Sequence, residues 1–166
     1  MFVDCHAHLD SEKFTNLVIV LDNSVKSGVK RIMNNGLSPE SNRRTLELSK
    51  HEIIDAALGI HPTMIPELSM REINKEISFI KKNIGKIKAI GEIGLDFHWI
   101  DKNDEETVKR MQNTFEKLVK VSLKYDKPVI VHSRRAEIET VELLENLKAE
   151  KVIMHSFTGK KDLLKR

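Results

Sequence analysis

The chain has 166 residues, 28 Lys and Arg against 25 Asp and Glu, a net charge of +3, and 40% hydrophobic residues. This is the profile of one α/β-sized soluble domain, 1–166, which buries about two thirds of its unfolded surface without a disulfide scaffold; the single Cys5 excludes such a scaffold in any case. No apolar run approaches the roughly 18 residues of a membrane helix, and the start MFVDCHAHLD turns polar too early for a signal peptide, so no membrane contact and a reducing cytoplasm are expected. The charge is too weak for a dedicated nucleic-acid-binding module. Residues 1–99 balance 13 basic against 13 acidic side chains, and the surplus falls in 100–166, with 15 against 12, where it reads as solvated helix faces.

Short apolar runs rich in Ile and Val predict strands at 1–5, 29–34, 53–60, 87–93, 128–132 and 151–155. Between them lie helical periods. Phe14, Leu17, Val18, Leu21 and Val25 follow i, i+3, i+4, i+7 spacing, as do Ile73, Ile77, Ile80 and Ile84, and then Val108, Met111, Phe115, Leu118 and Val119. Ser38-Pro39 reads as the N-cap and first-turn proline of the second helix. Alternation of strand and helix implies parallel pairing with right-handed crossovers. No glycine-rich phosphate loop follows the first strand, which leaves a barrel rather than a dinucleotide fold to be tested by the placement of polar residues.

His6 and His8 stand two apart at the exit of the first strand, where a side-chain period of two puts both imidazoles on one face. Three further strands end in similar residues: Glu92 in AIGEIGLD, His132 in PVIVHSR and His155 in VIMHSFTG. Buried ionisable groups are costly unless paired or metal-bound, so core packing is a poor account of all five. The ends of strands one, four, five and six fan apart in an open sheet and converge in a closed one. Convergence therefore argues for a parallel (β/α) barrel of the TIM type, with the site on its C-terminal face.

In order and spacing, DCHAHLD, GIHP, GEIGLDFH, VHSR and HSFTG resemble the TatD family of metal-dependent deoxyribonucleases, within the amidohydrolase-like barrels. The resemblance covers nearly the whole chain. It implies two divalent ions, Mg, Mn or Zn, one held by His6, His8 and Glu92 and the other by Glu92, His132 and His155, with Glu92 bridging in place of the carboxylated lysine of many related hydrolases. It also implies DNA as the substrate. Against the family's eight strands, about six β/α units are present; strands seven and eight, and the metal-binding aspartate of the last strand, have no counterpart before Arg166, which falls inside the expected sixth helix. This points to a truncated gene product, the first part of a split protein or an expressed fragment, whose open edges favour self-association or a complementary chain.

The remaining residues carry paired readings. His61 in GIHP lines a substrate pocket by resemblance, or is a loop residue fixed by Pro62. Asp96 orients a ligand histidine or caps its loop. Arg134 is suited to clamp a phosphate, and Arg135 stands where the family often has an acidic residue. His98 and Trp99 stack on a base or cover the barrel mouth. Cys5 is expected on the strand face opposite His6, as a small core residue, and His51 in solvent. The reaction class expected from the residues is metal-assisted hydrolysis of an ester. An amide or lactone as substrate and an inert metal-binding fragment stand as alternatives.

Overall fold

A computed structural model describes residues 1–165. Six parallel strands run in sequence order in one sheet: β1 (Phe2–Ala7), β2 (Val29–Asn35), β3 (Ile54–Leu58), β4 (Ala89–Asp96), β5 (Val129–Arg134) and β6 (Val152–Met154). Five helices connect them: α1 (Leu17–Lys26), α2 (Pro39–Leu48), α3 (Met70–Lys82), α4 (Glu105–Lys124) and α5 (Glu137–Asn146). The sheet curls so far that its ends meet, the ring of His6 on β1 stacking on that of His155 just beyond β6, with centroids 3.4 Å apart. The result is the greater part of a (β/α) barrel. Among the described residues β1 and β6 are its free edges, and Phe2 and Val3 are 66% and 59% exposed.

Strand alternation sorts the apolar residues into two layers. Leu58, Ile90, Val129 and Val131 join Ile73, Ile80, Phe115 and Leu118 of the helices in the main core, whereas their neighbours Ala57, Ala89 and Ile130 form a separate small cluster on the inner face. α3 is fixed by a capping box in which Ser69 and Glu72 exchange hydrogen bonds. Ser38 accepts from the Ser41 amide, with Pro39 in the first turn, as the sequence indicates.

Four expectations need correction. β4 continues to Asp96, so Glu92 lies within the strand rather than closing it. In α1 the inward residues are Leu17, Val20 and Leu21, while Phe14, Val18 and Val25 are exposed; the unbroken run Leu17–Leu21 is apolar on every face, so periodicity cannot set its phase. Cys5 is exposed rather than in the core, because β1 is an edge strand among the described residues and residues 1–5 are exposed on both of its faces. The sixth helix is represented by a short 3₁₀ turn, Leu163–Lys165, and the chain end at Arg166 lies outside the described residues.

Candidate metal centre

Strict alternation along β4 would turn Glu92 toward the helices. A bulge prevents it. Ile90 pairs with Val129 and Ile93 with Val131, so three steps on β4 match two on β5, and both isoleucines pack in the outer core. The extra residue brings Gly91 and Glu92 together onto the inner side, the re-aiming for which bulges are used beside active sites. The approach is tight. A Cβ on Gly59 would lie 2.4 Å from the Glu92 carbonyl oxygen, and Gly94, at φ +147°, leaves no room for one beneath the His132 backbone.

Glu92 is 2% exposed and divides its carboxylate between two groups of imidazoles. Its Oε2 lies 3.3 Å from His6 Nε2 and 3.4 Å from His8 Nε2, which are themselves 3.1 Å apart. Its Oε1 lies 3.2 Å from His132 Nδ1 and 3.8 Å from His61 Nε2. Burial works against its charge, but hydrogen bonds from His132, His6 and His8 outweigh burial and hold the carboxyl far below its usual range.

Hydrogen bonds fix which nitrogen faces the centre. His8 Nδ1 donates to the Asn35 carbonyl at 2.9 Å, which turns Nε2 to Glu92 Oε2: protonated, that nitrogen donates to the carboxylate, and in the neutral ring it holds the lone pair that a cation would take. His132 Nε2 bonds Asp96 Oδ2 at 2.8 Å and turns Nδ1 to Glu92. Burial alone would lower both histidines; Glu92, with Asn35 for His8 and Asp96 for His132, raises them instead. Asp96 is orienter and loop cap at once, since its Oδ1 accepts the amides of His98 and Trp99 at 2.7 and 2.8 Å. His61 differs. Its Nδ1 accepts the Thr63 amide, which can only donate, so in the neutral ring Nε2 carries the proton and faces Glu92 as a donor. Burial, the larger influence, pushes its pKa down to about 4, which keeps the ring neutral.

His6, His8 and Glu92 place three ligand atoms together, as do His61, Glu92 and His132. The first trio suits a cation on its geometry. Bonds of about 2.0–2.1 Å give ligand–ligand edges of about 2.9 Å in an octahedron and 3.4 Å in a tetrahedron, and the three edges here are 3.1, 3.3 and 3.4 Å. In addition, His6 Nδ1 is buried without a partner. His155 lies against His6 rather than in the second trio, with Nε2 3.1 Å from Ser156 Oγ. His98 and Trp99 form the rim, rings 4.6 Å apart, and Arg134 stands 5.7 Å from the Trp99 ring. His51 is exposed, as expected.

Two contributors were not singled out from the sequence. Asp10 ties the loop after β1 to the scaffold, accepting from Ser41 Oγ at 2.5 Å and Asn34 Nδ2 at 3.1 Å; its place in HAHLD is the signal that could have found it. Asn42 bonds both backbone groups of Gly59, at 2.8 and 3.2 Å, and buried Glu76 at 2.7 Å, fixing the strand end two residues before His61.

Residues 3–166 match the family described as TatD related DNase. The chain is 34% identical to an uncharacterized metal-dependent hydrolase of Bacillus subtilis, YabD, across 96% of its own length and 62% of that protein's. It is 28% identical to the human deoxyribonuclease TATDN3, across 95% of this chain and 61% of the relative. The crystal structure of YjjV, a TatD homologue from Escherichia coli, aligns with a TM-score of 0.85 at 28% identity, covering 99% of this chain and 63% of that one. The chain thus spans just over three fifths of the length of these relatives. With the five motifs in register on a parallel barrel sheet and a family match from end to end, the chain belongs to the TatD related DNase family.

Proposed function

We propose that residues 1–166 act as one hydrolase domain that holds two divalent cations and hydrolyses DNA phosphodiester bonds. The observation that carries this reading is the division of Glu92, with one carboxylate oxygen facing His6 and His8 and the other facing His132. His6, His8 and Glu92 would hold one ion; Glu92 and His132, with His155 as the family resemblance implies, would hold the other. The neutral imidazole and carboxylate donors suit Zn, Mn or Mg, and the family names favour DNA as substrate. Held there, divalent ions would supply an acidified water and positive charge for the attacking and leaving oxygens of a phosphodiester.

The chain's own residues complete the site. Asn35 and Asp96 lock His8 and His132 in the orientations that present a lone pair. His61 Nε2–H donates to a phosphoryl oxygen, Arg134 supplies a counter-charge, and Trp99 and His98 carry a base at the rim. The free edges at β1 and β6 fit a second copy or a complementary chain, and the lone free Cys5 fits a cytoplasmic setting. The test is metal stoichiometry by mass spectrometry together with metal-dependent cleavage of a DNA oligonucleotide, for the chain and for Glu92→Ala. Two ions and cleavage, both lost in the variant, are expected; two ions without cleavage would leave an inert metal-binding fragment, and no bound ion would overturn the reading.

A further inference from the structure

A cavity of about 450 Å³ opens beside the centre, with His132 and His155 on one side and Ser133, Arg134, Arg135 and Ser156 around the rest. Its volume lies within the roughly 300–1,000 Å³ of small-molecule sites, large enough for a phosphate and part of its nucleoside. Its charge is one-sided. Among the described residues neither Arg134 nor Arg135 has a carboxylate within ion-pair distance, whereas Arg31, Arg43 and Arg44 each do. The nearest acidic residue in sequence, Glu137, is engaged by Thr158, whose hydroxyl donates to it at 2.6 Å. Arg135 is held at φ +55°, in the left-handed region, which directs the chain at the cavity wall before α5 begins. On the adjoining rim Trp99 is 68% exposed and lies 5.7 Å from the Arg134 guanidinium.

Two unpaired guanidiniums match the two negative charges of a phosphomonoester better than the single charge of an internal phosphodiester, and each offers the planar fork that binds phosphate oxygens in pairs. An exposed indole next to them supplies a stacking surface for the adjoining base. We propose that this cavity is a terminal-phosphate subsite, in which Arg134 and Arg135 select substrates ending in a phosphomonoester and Trp99 stacks on the neighbouring base. This rests on the hydrolase reading above and adds to it a preference for the phosphorylated end of a strand.

Trp99 is the only tryptophan in the chain, so its fluorescence reports on this rim. The full chain, kept in a chelator so that nothing is cleaved, is titrated with one short DNA strand bearing a 5′-phosphate, a 3′-phosphate or neither, and separately with inorganic phosphate and a nucleoside monophosphate. At least tenfold tighter binding of one phosphorylated strand over the unphosphorylated one, with a change in Trp99 emission, is expected. Arg135→Asn, which tolerates the left-handed backbone, should erase the difference while leaving the unphosphorylated strand bound as before, and Arg134→Gln should weaken both. Inorganic phosphate or the mononucleotide competing as well as the strand would place the selectivity on the free anion. Equal affinities for all three strands, or a preference that survives Arg135→Asn, would overturn the proposal. Metal-dependent cleavage, assayed separately, distinguishes this from failure of the hydrolase reading: cleavage without end preference sinks the subsite alone, and end preference without cleavage sinks the hydrolase alone.

Discussion

Asn42→Ala tests whether the strand end behind the centre is held by its polar network. Asn42 is fully buried on α2, and its amide makes three hydrogen bonds: to the Gly59 carbonyl at 2.8 Å, from the Gly59 amide at 3.2 Å, and to Glu76 Oε1 at 2.7 Å. Truncation leaves both backbone groups of Gly59 and one oxygen of Glu76 without partners in a dry site. Each orphaned group costs about 1–3 kcal/mol, but Arg43 still holds the other Glu76 oxygen at 2.6 Å, so a total of about 3–5 kcal/mol is expected. That is a large part of the roughly 5–15 kcal/mol that holds a domain together. Urea unfolding followed by circular dichroism measures the loss. Because Gly59 lies against the backbone of Glu92, cation affinity by calorimetry should fall in parallel. Glu76→Ala should cost a similar amount, and the double variant should cost clearly less than the sum, since the second truncation removes a group already orphaned. A loss below about 1 kcal/mol for Asn42→Ala, or strict additivity of the two, would show that the network does not support the site.

Glu92→Ala should abolish both cation binding and hydrolysis, whereas His98→Ala at the rim should reduce activity only modestly; equal losses in metal-saturated assays would refute the bridging role proposed for Glu92. Asp104, the N-cap of α4, is held below its ordinary 3.8 by hydrogen bonds from the side chain and amide of Thr107. Its contribution is therefore present above pH 3.8 and lost as pH falls through its folded value, so amide exchange at the start of α4 should quicken there in the native chain but not in Asp104→Asn; identical profiles would refute the cap. Phe2, 66% exposed at the free edge, should drive concentration-dependent association through burial worth about 1–2 kcal/mol per side chain. Phe2→Ser should shift sedimentation toward the monomer, and an unchanged profile would place any association elsewhere.

Strand identity and the gathering of His6, His8 and His132 about Glu92 were legible because both depend on short-range pattern. Val129–Val131 is apolar and β-branched, and His132 follows at once; His6 and His8 differ by one strand period and do converge on Glu92 Oε2. What escaped the sequence depends on how the strands sit beside one another. The edge position of β1 leaves Cys5 exposed, and the slip between Ile90 and Ile93 turns Glu92 inward, yet neither leaves a local mark that alternation can read. The phase of α1 was lost for the opposite reason, too many apolar residues in a row. Asn42 and Glu76 lie 34 positions apart, and no spacing rule joins them. His61 was singled out by its place in GIHP, but its donor nitrogen follows only from the direction of the Thr63 amide.

Glu92 serves two imidazole groups only because several backbone features coincide. The extra residue in β4 decides which side of the sheet it enters, and without that residue the carboxylate would meet Ile73, Phe115 and the rest of the outer core, where a charge is expensive. Glycine on either side then allows the neighbouring strands to close in: Gly59 admits the Glu92 carbonyl from β3, and Gly94 admits the His132 backbone from β5. With β3 and β5 this close, His61 and His132, whose rings meet edge to face at 4.4 Å, reach the same carboxylate oxygen, while the curl of the sheet brings His6 and His8 of the first strand region to the other. A Cβ at Gly59 or Gly94 therefore acts on the chemistry as directly as loss of a ligand, by forcing β4 away from the strands that carry the imidazoles. The charged centre is thus an outcome of sheet geometry, and the glycines in GIHP and GEIGLD are as much a part of it as the histidines.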